Sequence, residues 1–81
     1  MNEKQIIREL ISLRDYNQSI LAEKAGLKRQ SNVGEMLRSK NLRVDNLIRL
    51  LNAMDCDLVV KSRLKDKREW EVTLDDSEKV E

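Results

Sequence analysis

Between Gln18 and Arg43 the sequence gathers the side chains best suited to chemistry. Gln30 and Asn32 each carry an amide, a donor beside an acceptor, which matches the N6/N7 edge of adenine. Arg29 offers a fork of donors that fits the O6/N7 edge of guanine, and the Glu35 carboxylate can accept from the amino group of cytosine. Ser31 adds a hydroxyl that suits any of these edges, although Ser and Asn serve turns and helix caps equally well. Lys28, Arg38, Lys40, Asn41 and Arg43 surround the group with donors for phosphate oxygens. This is recognition by hydrogen bonding and charge, with nothing that points to bond breaking. The chain has no His, and its single cysteine, Cys56, rules out an internal disulfide and a Cys/His zinc site. There is no G-x-S-x-G and no Gly-rich phosphate loop. The expectation is a protein that is not an enzyme and uses no metal or cofactor.

The elements that must position these residues follow from periodicity. Ile6, Ile7, Leu10, Ile11 and Leu13 predict an amphipathic helix over residues 2–14, with Asn2 and Gln5 as a capping box. Asn17 caps a second helix that runs through Ala25, and Gly26 supplies the left-handed residue that ends it. Val33, Met36 and Leu37 anchor a third helix over residues 30–39, and Lys40-Asn41 makes a turn. Val44, Leu47, Ile48, Leu50 and Leu51 form the apolar face of a fourth, residues 43–54. The period then changes to two. Leu58, Val60, Ser62 and Leu64 alternate with Val59, Lys61 and Arg63, and after the charged turn 65–68 Trp70, Val72 and Leu74 alternate with Glu69, Glu71 and Thr73. The fold class expected is mainly α, four short helices followed by a C-terminal β-hairpin. The organisation reads as a helical core over residues 1–56, a hairpin over 57–74 and an acidic disordered tail over 75–81.

The second and third helices carry the informative constellation. Ala22 allows two helices to cross closely, and Gly26 lets the chain reverse within a few residues. Val33 and Leu37 fix the third helix to the core and leave its other face exposed. That is the layout of a helix-turn-helix, in which the start of the second helix of the motif reaches base edges in the DNA major groove. Gln18-Ser19-Ile20-Leu21-Ala22-Glu23-Lys24-Ala25-Gly26-Leu27 resembles XRE-type regulators, the Cro and phage-repressor superfamily, whose pattern is Q-x-x-L-A-x-x-x-G-hydrophobic. The stretch Asp45 to Met54 followed by Asp57-Leu58-Val59-Val60 is similar to small members that add a strand after the last helix, some of them antitoxins. The resemblance covers roughly residues 4–62. It implies that Gln18 hydrogen-bonds a DNA phosphate, that Arg29, Gln30, Ser31, Asn32 and Glu35 face bases, and that Lys28, Arg38, Lys40, Asn41 and Arg43 face phosphates. One position departs from the pattern. The core Val or Ile of the family stands six residues after the turn Gly, where this chain has Asn32, and Val33 follows one residue later. Gly34 is also unusual, because inside a helix it costs about 1 kcal/mol relative to Ala. Either it permits close approach of another backbone, or this helix is weak alone.

Charge sharpens the reading. Sixteen Lys and Arg against fifteen Asp and Glu leave a net charge of +1. Residues 24–43 hold six basic residues and one acid, a local charge of +5, whereas residues 75–81 carry −3. A basic patch binds phosphates whatever the total. An isolated hairpin is marginal in water, so Leu58, Val60, Leu64, Trp70, Val72 and Leu74 need a cover, either the fourth helix or a second copy of the chain. The expectation is a homodimer joined through these six residues, a cytoplasmic repressor on an inverted repeat of double-stranded DNA. The alternative is an antitoxin-like module that binds a partner toxin or another protein through the ribbon and acidic tail. No apolar run reaches the length of a membrane span.

Overall fold

The computed structural model describes residues 1–74 of the 81. The acidic stretch 75–81 lies outside the described residues. Four helices come first: α1 (Glu3–Leu13), α2 (Gln18–Lys24), α3 (Gln30–Arg38) and α4 (Val44–Ala53). A two-stranded antiparallel hairpin follows, β1 (Leu58–Lys61) and β2 (Glu69–Val72). The mainly-α class with a C-terminal hairpin is therefore the architecture of the chain. Among the described residues no helix is long and apolar enough to cross a membrane.

Local chemistry sets the helix starts. The Asn2 and Gln5 side chains each accept the other's backbone N–H at 2.8 Å, the reciprocal capping box. Asn17 Oδ1 accepts from Ile20 N–H at 2.8 Å and opens α2. The ends of α1, α2 and α4 share one device. A left-handed residue follows each helix, Asp15 (φ 58°), Gly26 (φ 76°) and Asp55 (φ 62°). The next N–H then reaches back to a carbonyl five residues earlier, Tyr16 to Ile11, Leu27 to Ala22 and Cys56 to Leu51, each at 2.9 Å. These are Schellman closures, and Tyr16, Leu27 and Cys56 all pack against the core, the apolar contact that often accompanies the motif.

The core draws on every helix: Ile7 from α1, Leu21 and Ala22 from α2, Val33 and Leu37 from α3, Leu50 and Leu51 from α4, with Met54 just beyond. Among the described residues every buried side chain is apolar. At roughly 1.5–3 kcal/mol per fully buried aliphatic side chain, this cluster dominates the stability of so small a domain. Basic side chains of α1 and of its C-cap residue, Arg14, then tie the other helices down. Lys4 Nζ donates to the Ser39 carbonyl and Arg8 Nη2 to that of Leu37 (3.4 Å), both at the end of α3. Arg14 Nε donates to the Met54 carbonyl (3.0 Å) at the end of α4, and its Nη2 lies 3.7 Å from the half-buried Cys56 Sγ. Carbonyls that a helix leaves unpaired, at its negative end, thereby gain cationic donors.

The hairpin is shorter than the alternating pattern. Leu58 pairs with Val72 and Val60 with Trp70, so these four share a face as expected. Leu64 and Leu74 do not extend it, because β1 stops at Lys61 and β2 at Val72. The cause is local. Ser62 Oγ donates to Asp66 Oδ1 at 2.7 Å and accepts from Leu64 N–H at 3.2 Å, closing the loop before the strands can lengthen. Lys67 completes the reversal at φ 52°. Leu64 is left in the loop, 75 % exposed. Leu58 packs on the helical core, whereas Val60 and Trp70 farther along the ribbon remain half exposed, at 52 % and 50 %.

Candidate nucleic-acid interface

Helix α3 begins with half a capping box. Asn32 Oδ1 accepts from the Arg29 N–H at 3.1 Å, and the Arg29 guanidinium has no acceptor with which to return the bond. This explains the departure at Asn32. Asn32 falls at the third helical position, where it caps, and Val33 takes the fully buried core site. One lone pair of the Asn32 amide is thus engaged, so contact with adenine would share or break that cap.

Burial of Val33 and Leu37 fixes which face of α3 looks outward. Ser31, Glu35 and Arg38, at spacings of four and three, form the exposed stripe. Gln30 is the first residue of α3, and its side chain lies outside what the structure describes. Lys28 and Arg29 are exposed on the turn before the helix, and Lys40, Asn41 and Arg43 on the turn after it. Two shallow clefts gather most of these residues. One, at the α2–α3 turn, is lined by Lys28 and Arg29 together with Ser19 and Glu23. The other, between α3 and α4, takes in Asn32, Glu35, Asn41 and Arg43 with Asn46. Ser19, Glu23 and Asn46 were not singled out by the sequence. For Ser19 and Glu23 the signal was their i, i+4 spacing on the polar side of α2.

The basic residues differ in how free they are. Arg43 Nη2 contacts Asp45 Oδ2 at 3.1 Å, with the two side chains 76 % and 44 % exposed. Such an exposed pair is worth about 0–1 kcal/mol, less than a charge-assisted bond to phosphate, so it does not lock Arg43 away. Asp45 also accepts from Asn46 N–H at 2.8 Å, which keeps the acid at the positive start of α4. Lys24 sits 5.5 Å from the centre of the Tyr16 ring, a cation–π contact outside the α3 face.

Gly34 does not admit another backbone, the first of the two readings of the sequence. A Cβ at this position would stand 3.0 Å from Arg38 Nη1 and 3.2 Å from Gln18 Oε1. What approaches is two side chains, with no backbone among the neighbours. The first residue of α2 and the last residue of α3 therefore converge above a helix surface that carries no side chain. The six hairpin residues lie apart from this face in sequence and form their own apolar patch, reduced to the Leu58–Val72 and Val60–Trp70 pairs. Compared with protein-family models, with curated proteins and with solved structures, the chain matches none of them.

Proposed function

We propose that the chain is a sequence-specific double-stranded DNA-binding transcriptional regulator, a cytoplasmic repressor that occupies an inverted repeat as a homodimer. The observation that supports this best is the outward stripe Ser31–Glu35–Arg38 on a helix anchored from behind by buried Val33 and Leu37. Exposed Lys28, Arg29, Lys40 and Arg43 stand at both ends of that helix. Side chains that read bases need a rigid support, and those that hold phosphates must flank them. In this reading Arg29, Gln30, Ser31 and Glu35 face the bases, joined by Asn32 when its cap bond opens. Gln18 and the flanking cations hold the backbone.

The homodimer rests on the hairpin. Val60 and Trp70 pair across the strands yet remain half exposed, and the outer strand edges are short. A second copy would cover the apolar pair and set two α3 helices about 34 Å apart, one DNA turn. The same exposed pair supports a second reading, an interaction module that binds a partner protein. Selection of bound duplexes from a random pool separates the two. A palindromic consensus is the expected result; a pool that never enriches, together with a partner that co-purifies at fixed stoichiometry, would replace the first reading with the second.

A further inference from the structure

Gly34 sits in the middle of α3, where Ala would form the helix more readily. Its φ is not in the left-handed region that would demand glycine. Nor does any backbone crowd it: the nearest atoms are the mobile ends of Arg38 and Gln18. The missing methyl therefore serves the placement of those two side chains, not the folding of the helix. Resting on the DNA reading above, we infer that Gly34 is the floor of one phosphate seat in which Gln18 and Arg38 act together. Gln18 Oε1 and Arg38 Nη1 both lie over the bare surface of Gly34, and the amide N–H groups of the one and the guanidinium N–H groups of the other are the donors this pair would offer a single anionic oxygen pair. The seat spans both helices of the helix-turn-helix, so one phosphate would fix α2 and α3 jointly against the backbone. This differs from two independent contacts, and the difference is measurable.

The substitution Gly34→Ala separates stability from binding by sign. Because only flexible side-chain ends must move, the melting temperature should rise, by up to about 4–8 °C for a domain of this size. Affinity for the selected duplex should fall, on the order of tenfold, as the methyl displaces both side chains from their seat. Gln18→Ala and Arg38→Ala should each weaken binding about tenfold, and the double variant little more than Arg38→Ala alone. Equal binding by Gly34→Ala and the parent, or losses that multiply in full in the double variant, would overturn the seat while leaving the DNA reading intact. If Gly34→Ala melts below the parent, the double-variant comparison decides alone. A parent chain with no salt-dependent affinity for duplex DNA removes the DNA reading and the seat with it, so the two failures are distinct.

Discussion

The helical body and the hairpin solve the problem of a small domain in opposite ways. The body is closed. Its buried residues come from all four helices, three of its helix ends are sealed by Schellman closures, and α1 with its C-cap residue sends Lys4, Arg8 and Arg14 to carbonyls at the ends of α3 and α4. The hairpin is open. Two four-residue strands place only Leu58 against the core and leave Val60 and Trp70 half exposed. A closed body suits a scaffold that must hold α3 rigid, and an open ribbon suits an element completed by something else. In the proposed function the first reads DNA and the second joins two copies.

That contrast can be broken at several points. Leu50→Ala, at the centre of the body, should lower stability by about 2–5 kcal/mol in urea melts, enough to leave much of the chain unfolded. Trp70→Ala in the hairpin should cost the monomer under about 1 kcal/mol, since the ring is half exposed, yet shift light scattering from a dimer to the 9.5 kDa single chain. A large loss of stability with no change in mass would mean that the ribbon belongs to the body. Gln30→Ala should cost about 1–3 kcal/mol on the selected duplex and relax specificity at one base pair. Lys40→Ala should weaken all sequences alike, by a smaller amount, and reduce the salt slope by about 1. Smallest is Asp55→Gly, which relieves a left-handed aspartate at the end of α4 and should add about 0.5–1 kcal/mol to thermal stability.

Much of the body was legible because its signals are local. The Asn2–Gln5 box, the Asn17 cap, Gly26 as the left-handed stop and the 3.6-residue spacing of Val33 and Leu37 each involve neighbours within a few positions. The Lys4, Arg8 and Arg14 tethers span 35, 29 and 40 residues, and no local pattern announces them. The hairpin was legible in register but not in length, because alternation continues through Ser62 and Leu64 while the Ser62–Asp66 bond ends the strand. At the interface, Asn32 satisfied two rules at once, a reader's amide and a cap, and only the geometry of Arg29 N–H shows the cap in use. Gly34 was visible as an anomaly, but its neighbours, Gln18 and Arg38, meet only once α2 and α3 are packed.

The most direct test of the proposed DNA binding is the salt dependence of duplex binding by the parent chain. Log affinity plotted against log salt should fall with a slope near −0.9 per phosphate neutralised. With about six to ten contacts per dimer, affinity should drop about 10³–10⁵-fold between 50 and 200 mM salt. A flat line across that range would contradict the assignment of Lys28, Arg38, Lys40 and Arg43 to the DNA backbone, and with it the proposed function.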